Sequence, residues 1–231
     1  MNYEKEKILR AIEDIAIQIV EKIDDGQILG LGSGSAVAVL VKKLGNRAAD
    51  KGLTFNVIPS SLQIQLVAEQ SGLNSVSQKM IPEIDITVDG ADQIDEKFNM
   101  IKGGGGALFR ERVLLRAAKK SIILADENKY VKQLSRSVPI ETSPFARAFV
   151  SDELMKIGGK VKLRLLEKDY PFITENGNII FDTDFGVIEK PEIIRNEINN
   201  IPGIIDTGFF IGEGDVFYRA NRDSSVQVFE V

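Results

Sequence analysis

The chain of 231 residues contains no cysteine and no histidine. The absence of cysteine excludes disulfide bonds, a thiolate nucleophile and zinc–thiolate sites. The absence of histidine excludes a Ser-His-Asp triad, imidazole metal ligands and the usual general base near neutral pH. Any proton transfer must therefore fall to Asp, Glu, Lys, Tyr or water.

Long apolar runs are also missing. No segment approaches the roughly 20 apolar residues that a transmembrane helix needs, and the N-terminal sequence MNYEKEKILR is too charged to begin a signal peptide. A hydrophobic fraction of 43% with 27% charged residues is typical of a globular protein with an apolar core. We therefore expect a cytoplasmic protein without a membrane partner. The net charge of −5 argues against nonspecific nucleic-acid binding.

The first 130 residues alternate between helical and strand patterns. Isoleucines at helical spacing predict a first helix over 4–22. Apolar segments predict buried strands at 27–31, 54–59, 84–88 and 121–125, with helices between them at 36–44, 61–70 and 107–119. This alternation is typical of a doubly wound α/β fold with a mostly parallel, Rossmann-like sheet.

From about residue 137 the pattern changes to strand, helix, strand, strand, helix, strand. The predicted helices cover 151–158 and 191–200, the second strand covers 160–166, and a hairpin turns around Asn176-Gly177. This order is typical of a smaller α+β domain of the ferredoxin-like type.

The tail of the chain offers two further strands, at 215–218 and 226–231, which could rejoin the first sheet. We therefore predict two domains. The Rossmann-like catalytic domain would comprise 1–134 and 208–231, and the small α+β domain would comprise 135–207.

The sequence GLGSGS at 30–35 lies between a predicted strand and a predicted helix. It is either a tight turn or a phosphate- or sugar-binding loop, in which backbone N–H groups and the hydroxyls of Ser33 and Ser35 meet a ligand at a helix N-terminus. A nicotinamide cofactor is disfavoured, because the third glycine of the G-x-G-x-x-G fingerprint falls on Ser35 and no acidic residue ends the next strand.

The sequence Asp-Gly-Ala-Asp follows the strand predicted at 84–88. Three interpretations are open for Asp89 and Asp92: acid–base or hydroxyl-binding work in a crevice, a solvated acidic turn, or, together with Asp85 and Asp95, a site for Mg²⁺ or Ca²⁺.

Lys102 is followed by four consecutive glycines, 103–106. Four glycines carry a large backbone-entropy cost and give the core no side chain, so the backbone itself is needed there. Consecutive N–H groups can form an anion-binding nest, and the adjacent ammonium adds a full charge where an oxyanion develops. A purely structural loop is the alternative.

Glu111 follows the glycine loop by about one helical turn. By itself it is a surface charge near a helix N-terminus, but its place beside the loop makes it a candidate base. Lys129, after the strand predicted at 121–125, is either a solvated loop lysine or a ligand for substrate.

Taken in order, the segments GLGSGSA, DGADQID, KGGGGALFRE and ADENK resemble the four signature segments of the ribose-5-phosphate isomerase family, type A. The stretch 146–159, ENGNII and NNIPGIIDTGFF are similar to that family's small domain and return strands. The resemblance implies an enzyme that interconverts D-ribose 5-phosphate and D-ribulose 5-phosphate through an enediolate. It implies no metal and no organic cofactor, and an assembly that is a homodimer or homotetramer.

The resemblance also implies roles for individual residues. Glu111 is the base, Asp89 assists ring opening and proton movement, and Lys102 stabilises the enediolate together with the glycine amides. The catalytic residues are thus Glu111, Asp89 and Lys102. The substrate-binding residues are Ser33, Gly34, Ser35, Ala36, Asp89, Gly90, Ala91, Asp92 (for hydroxyls), Lys102, Gly103, Gly104, Gly105 and Lys129.

Two points depart from the family pattern or are left open by it. The family commonly has threonine where this chain has Ala36, so one hydroxyl is lost; a hydrogen bond is worth about 0.5–1.5 kcal/mol, and we expect altered affinity rather than an altered reaction. An N-terminal basic residue contacts substrate in some relatives, and both Lys7 and Arg10 are candidates.

Competing functions are weaker. A glucosamine-6-phosphate deaminase or a phosphogluconolactonase is expected to use histidine, which this chain lacks. A noncatalytic sugar-phosphate sensor of the kind found in bacterial transcription regulators normally carries a helix-turn-helix module. Only one helix is predicted before the first strand here.

Overall fold

The structure, a computed structural model, describes residues 3–76 and 83–231. The chain forms two compact units. Unit 1 comprises Met1–Gly90, Arg110–Lys129 and Glu213–Val231, and unit 2 comprises Ala91–Phe109 and Tyr130–Gly212.

Within the described residues, the α-helices are α1 (Tyr3–Glu21), α2 (Ser35–Lys51), α3 (Leu62–Gln70), α4 (Leu108–Ala117), α5 (Arg147–Lys156) and α6 (Pro191–Asn199). The strands are β1 (Ile28–Leu31), β2 (Asn56–Pro59), β3 (Asn74–Ser75), β4 (Ile84–Asp89), β5 (Gln93–Ile94), β6 (Met100–Ile101), β7 (Ala118–Asp126), β8 (Val138–Thr142), β9 (Lys160–Leu163), β10 (Ile179–Asp184), β11 (Ile204–Thr207), β12 (Phe209–Phe210), β13 (Val216–Ala220) and β14 (Val226–Glu230).

The main sheet of unit 1 has the strand order β14-β13-β7-β4-β1-β2-β3. Its neighbours pair in parallel except for β13 and β14, which pair antiparallel. This arrangement confirms the predicted α/β fold with a mostly parallel sheet, and both tail strands join the sheet as predicted. Because the strands of a parallel sheet end at one edge, the loops after β1, β4 and β7 share that edge.

The amphipathic helix α1 closes one part of the core of unit 1. Its buried residues Ala11, Ile15 and Ile19 are fully inaccessible to solvent and belong to the same apolar cluster as Leu40 and Leu44 of α2. Burial of this isoleucine stripe stabilises the unit by the hydrophobic effect, at about 1.5–3 kcal/mol for each large side chain.

Helix α2 is longer than predicted. We expected it to end near Leu44, before Gly45, but it continues to Lys51 and is terminated by Gly52, whose φ of 64° gives a left-handed cap and whose N–H donates to the carbonyl of Ala48. Gly45 is a packing glycine instead: a Cβ there would lie 2.4 Å from the carbonyl oxygen of Ser71. Helix α2 therefore approaches the end of α3 closely at this residue.

Unit 2 contains an antiparallel sheet in the order β11-β8-β10-β9. With α5 after β8 and α6 after β10, this is the strand–helix–strand–strand–helix–strand arrangement that we predicted, and it confirms a ferredoxin-like architecture. A separate small sheet has the order β12-β6-β5.

The hairpin predicted at Asn176-Gly177 is present and is held by a carboxylate that the sequence pattern did not single out. Glu141 of β8 is fully buried, and its Oε1 accepts hydrogen bonds from Thr174 Oγ1 (2.8 Å), Asn176 Nδ2 (3.0 Å) and Asn178 Nδ2 (2.8 Å). These bonds fix the turn from a neighbouring strand.

The compact units differ from the domain boundaries that we predicted. Residues 91–109, 130–134 and 208–212 belong to unit 2, although the predicted division placed them in the first domain. The reason lies in their pairing: β5 and β6 pair with each other and β6 pairs with β12, while Ile101 packs in the apolar cluster of unit 2. The functional division into a catalytic and a small domain remains a prediction.

Within the described part of the chain, no helix has both the length and the apolar character needed to cross a bilayer.

Asp85 of β4 supplies a test of stability against pH. Its carboxylate accepts a hydrogen bond from the backbone N–H of Ile28 (2.9 Å) and binds Lys119 Nζ (3.1 Å). The Ile28 bond, with a further contribution from Lys119, lowers the pKa of Asp85 below its ordinary value. A carboxyl with a lowered folded-state pKa stabilises the protein above the unfolded-state pKa, about 3.9, and loses this effect as the pH falls through the folded-state value.

We therefore expect Asp85→Asn to lower the free energy of unfolding at neutral pH, and we expect the difference from wild type to shrink below about pH 4. Urea unfolding at several pH values measures this, with Asp50→Asn at the exposed end of α2 as control. A difference that stayed constant into strongly acidic solution would contradict the assignment.

Candidate active site

Asp89 lies at the carboxyl end of β4 and is fully buried. One reason for the GLGSGS sequence is its contact with this residue: a Cβ added at Gly32 would lie 1.8 Å from Asp89 Oδ1. The Gly32 N–H donates to the carbonyl of Val88 (2.9 Å), and Asp89 Oδ1 accepts from the N–H of Gly90 (2.7 Å). Glycine at 32 is thus required by a carboxylate of the chain itself.

Glu111 lies in the first turn of α4, and only 3% of it is exposed. The hydroxyl of Ser33 donates to Glu111 Oε1 at 2.5 Å. A hydrogen bond to an ionised carboxylate is short and roughly twice as strong as a neutral one. The interpretation of Glu111 as a solvated surface charge is wrong, because the side chain is buried against the loop after β1.

Helix α4 is fixed to unit 1 by groups that our sequence analysis missed. Arg112 binds Glu213 at 2.5 Å, with 10% and 6% of the two side chains exposed, and Arg116 binds the same carboxylate at 3.0 Å. The hydroxyl of Thr87 in β4 donates to the carbonyl of Leu114 (2.8 Å). The charge pattern around Glu111 contained this signal, but its partner lies about 100 residues later.

The loop from Ser33 to Ala36 leads into α2. Gly34 has a φ of 90°, and its N–H donates to Gln63 Oε1 of α3 (3.2 Å). The first turn of α2 carries no acidic residue, so its N–H groups and dipole are compatible with an anion. The methyl group of Ala36 packs against the apolar core of unit 1, which accounts for a small apolar side chain at this position.

Lys129 ends the short 3₁₀ turn Glu127–Lys129 after β7 and is partly exposed. This turn is held by Arg222, which binds Glu127 (2.7 Å) and donates to Asn128. Of the two N-terminal candidates, Arg10 pairs with Glu6 on the exposed face of α1.

Lys7, the other N-terminal candidate, acts through its charge on the turn between β13 and β14. Hydrogen bonds from Ser225 lower the pKa of Asp223 in that turn, and the charge of Lys7 adds a smaller effect in the same direction. The structure does not assign either basic residue to substrate, and the choice stays open.

Unit 2 holds the remaining candidates. Asp92 Oδ2 accepts a hydrogen bond from the N–H of Gly104 (2.7 Å). The side chain of Lys102 is 2% exposed, and its Nζ lies 5.3 Å from the centre of the Phe210 ring. Gly103 and Gly106 have φ angles of 98° and 85°, which favour glycine. The glycine loop is thus a defined turn attached to an aspartate.

The four-aspartate cation hypothesis loses support. Asp85 is engaged by Ile28 and Lys119, and Asp95 accepts from the N–H groups of Lys97 (2.9 Å) and Asn99 (2.8 Å). Among the described residues, no three acidic side chains are placed to hold a metal ion.

The structure therefore brings together part of the predicted set within each unit. In unit 1, Ser33 and Glu111 are hydrogen-bonded, and Asp89 lies against Gly32, next to Ser33. In unit 2, Asp92 is bonded to the glycine loop. The chain passes from unit 1 to unit 2 inside the Asp-Gly-Ala-Asp motif, after Gly90.

In unit 1, a buried carboxylate accepts a serine hydroxyl, and in unit 2 a buried ammonium precedes a loop of glycine amides. Groups of these kinds serve acid–base catalysis at carbonyl compounds, and with the α/β fold they are typical of enzymes of the proton-transfer class. The family model of ribose 5-phosphate isomerase A (phosphoriboisomerase A) matches residues 56–224. The chain belongs to the ribose 5-phosphate isomerase A family.

Individual relatives cover nearly the whole chain. Ribose-5-phosphate isomerase A 1 of Oceanobacillus iheyensis is 40% identical over 96% of this chain and 97% of its own, and ribose-5-phosphate isomerase A of Methanosarcina acetivorans is 38% identical over 89% and 88%. A solved structure of D-ribose-5-phosphate isomerase in complex with phospho-erythronic acid is 35% identical, with a TM-score of 0.91 over 100% of both chains. That of ribose 5-phosphate isomerase A from Methanocaldococcus jannaschii is 33% identical, with a TM-score of 0.89 over 96% and 98%. The resemblance described from the motifs is confirmed.

The contact between Gly32 and Asp89 predicts that one added methyl group at position 32 lowers the stability of the protein. We expect Gly32→Ala to push Asp89 out of place and to lower the free energy of unfolding by about 1–3 kcal/mol, the usual effect of overpacking. Urea unfolding measures the loss. Gly90→Ala is the matched control for stability, since the nearest atom to a Cβ at Gly90 is the Leu124 carbonyl oxygen at 3.8 Å. Equal stability of the two variants would contradict this interpretation.

Proposed function

We propose that this chain interconverts D-ribose 5-phosphate and D-ribulose 5-phosphate through an enediolate, without a metal ion or organic cofactor. The observation that carries the proposal is the buried carboxylate of Glu111 with its hydrogen bond to Ser33. Membership of the ribose 5-phosphate isomerase A family supports the same reaction.

The isomerisation moves a carbonyl group between C1 and C2, so one base must carry a proton between these carbons. Glu111 is that base. Burial keeps it away from bulk water, and the hydroxyl of Ser33 orients its carboxylate through Oε1. Asp89, buried at the end of β4, assists ring opening and the movement of protons on the sugar oxygens.

The enediolate carries negative charge on O1 and O2, which must be stabilised by donors fixed in advance. Lys102 provides the charge and the glycine loop provides the amides. Asp92 holds the loop through Gly104 and also binds substrate hydroxyls, since a carboxylate can accept several hydrogen bonds.

The substrate phosphate needs a separate binding site. The loop Ser33–Ala36 at the N-terminus of α2 offers N–H groups and the hydroxyl of Ser35, without an acidic residue in the first turn of the helix. Lys129 is a further substrate-binding residue at the same edge of the sheet. The remaining positions in this proposal are Gly90, Ala91, Gly103 and Gly105, which contribute backbone groups.

We also propose a cytoplasmic homodimer or homotetramer that needs no nucleic-acid or membrane partner. Phospho-erythronic acid, bound by the relative described above, should bind this chain as well. Its carboxylate spreads a negative charge over two oxygens, as the enediolate does, so the donors that stabilise one should bind the other.

The base is tested by Glu111→Gln, which keeps the shape of the side chain and removes its ability to take a proton. We expect kcat for ribose 5-phosphate to fall by several orders of magnitude with KM little changed, because the interaction acts on the transition state. The exposed Glu69, changed to glutamine, is the control and should retain wild-type turnover.

Near-wild-type turnover of Glu111→Gln would refute its role. If the wild-type protein itself shows no turnover but ribose 5-phosphate raises its melting temperature, the protein is a sensor rather than an enzyme. If it neither turns over nor binds this sugar phosphate, the proposed substrate is wrong.

Metal independence has its own test. The chain has no histidine or cysteine ligands, and in this proposal the side chain of Lys102 takes the place of a metal ion beside the enediolate. We expect kcat to be unchanged after dialysis against EDTA. Activity that disappears with the chelator and returns with Mg²⁺ would contradict this expectation, and protein dialysed without EDTA serves as the control.

A further inference from the structure

Arg164, just after β9, makes direct contact with the backbone of the glycine loop. Its Nη1 donates to the carbonyl oxygens of Gly103 (2.9 Å) and Gly104 (3.1 Å). The other side of the guanidinium binds the carboxylate of Asp182 in β10 through Nε (2.9 Å) and Nη2 (2.5 Å). All these groups belong to unit 2.

Because a trans peptide unit is planar, a hydrogen bond that fixes its carbonyl also fixes the direction of its N–H. The N–H of each peptide unit points opposite to its carbonyl. Arg164 on the Gly103 carbonyl therefore turns the N–H of Gly104 away from the arginine, and that N–H donates to Asp92. By the same geometry, the bond to the Gly104 carbonyl turns the N–H of Gly105 away from Arg164.

The environment keeps the guanidinium in one orientation. Only 14% of the Arg164 side chain is exposed, and the two-point contact with Asp182 matches the planar fork of arginine. Its carbon Cζ lies 5.7 Å from the centre of the Phe172 ring, and a Cβ on Gly106 would lie 2.4 Å from that ring. Phe172 therefore closes the far end of the same loop.

A loop of four glycines has little conformational preference of its own, so its shape must be imposed from outside. The restraints run from Asp182 through Arg164 to the carbonyls of Gly103 and Gly104, and from Asp92 to the N–H of Gly104. The carbonyl and the N–H of the peptide unit between Gly103 and Gly104 are thus held by side chains of opposite charge, Arg164 and Asp92.

We propose that Arg164, oriented by Asp182, is a positioning residue of the isomerase: it sets the peptide planes of the glycine loop so that the amide of Gly105 is directed to stabilise the enediolate. This inference rests on the proposed function of the same loop. Arg164 does not contact the reacting atoms in this role. Loss of its two hydrogen bonds leaves the amides present, but their orientation then depends on the bonds from Gly104 to Asp92 and from Gly106 to Gly103.

The experiment compares Arg164→Gln and Arg164→Lys with wild type for turnover of ribose 5-phosphate and for inhibition by phospho-erythronic acid. We expect Arg164→Gln to lower kcat by about 10- to 100-fold with a small change in KM, since misplaced oxyanion donors and small displacements have effects of this order. The affinity for phospho-erythronic acid should fall by the same factor as kcat/KM. Arg164→Lys should recover part of both, because one ammonium can reach a loop carbonyl but cannot form the fork to Asp182.

Two further variants separate positioning from folding. Asp182→Asn removes the charge that orients Arg164 and should lower kcat in the same direction but less. Lys162→Gln, an exposed lysine two positions before Arg164, is the matched control and should leave kcat, inhibitor affinity and the melting temperature unchanged.

The outcomes are distinguishable. An inactive wild type overturns the proposed function. An active wild type with unchanged kcat and inhibitor affinity in Arg164→Gln overturns the inference alone. Loss of folded protein in the arginine variants with normal kcat per folded molecule and normal inhibitor affinity means a purely structural role and overturns it too.

Discussion

The close approach of β1 to β4 is the constraint on which the organisation of unit 1 depends. A Cβ at Gly30 would lie 2.2 Å from Thr87 Oγ1, and one at Gly32 would lie 1.8 Å from Asp89 Oδ1. Because both positions are glycine, β4 can direct a hydroxyl and a carboxylate toward the neighbouring strand. Both of these polar groups are fully buried.

The close approach of β1 to β4 also affects the position of Glu111, the candidate base, through one hydrogen bond. The hydroxyl of Thr87 donates to the carbonyl of Leu114 and so attaches α4 to β4. Glu111, one turn earlier on α4, is then placed where Ser33, directly after Gly32, can donate to it. Gly30 and Gly32 therefore influence three features together: the spacing of β1 and β4, the position of α4 and the orientation of the Glu111 carboxylate.

The helices and strands of this organisation could be predicted from the sequence. Apolar periodicity predicted the parallel sheet, the ferredoxin-like order and the tail strands, because these depend on which residues are buried. The four motifs predicted Glu111, Asp89, Lys102 and the glycine loop as candidates, because their residue types suit acid–base chemistry.

The parts that were missed involve partners far apart in the chain. Glu141 and its turn, Arg112 and Glu213, and Arg164 with Gly103 are separated by between about 30 and about 100 residues. A charged residue on a predicted element has no visible partner until the fold is known. The predicted end of α2 at Leu44 was also too early: the helix continues through Gly45, where tertiary packing against Ser71 requires a glycine.

Because the chain has no histidine, the side chains that orient the candidate groups are important for the proposed site. An imidazole can serve as base and oxyanion partner with modest help from its surroundings, whereas a carboxylate and a glycine loop depend on how their environment holds them. Here Ser33 orients the carboxylate of Glu111, and Arg164 with Asp92 restrains the loop. In both places, hydrogen bonds from neighbouring side chains set the orientation of a candidate catalytic group. The proposed site therefore depends on the side chains that fix these orientations as well as on the candidate catalytic residues themselves.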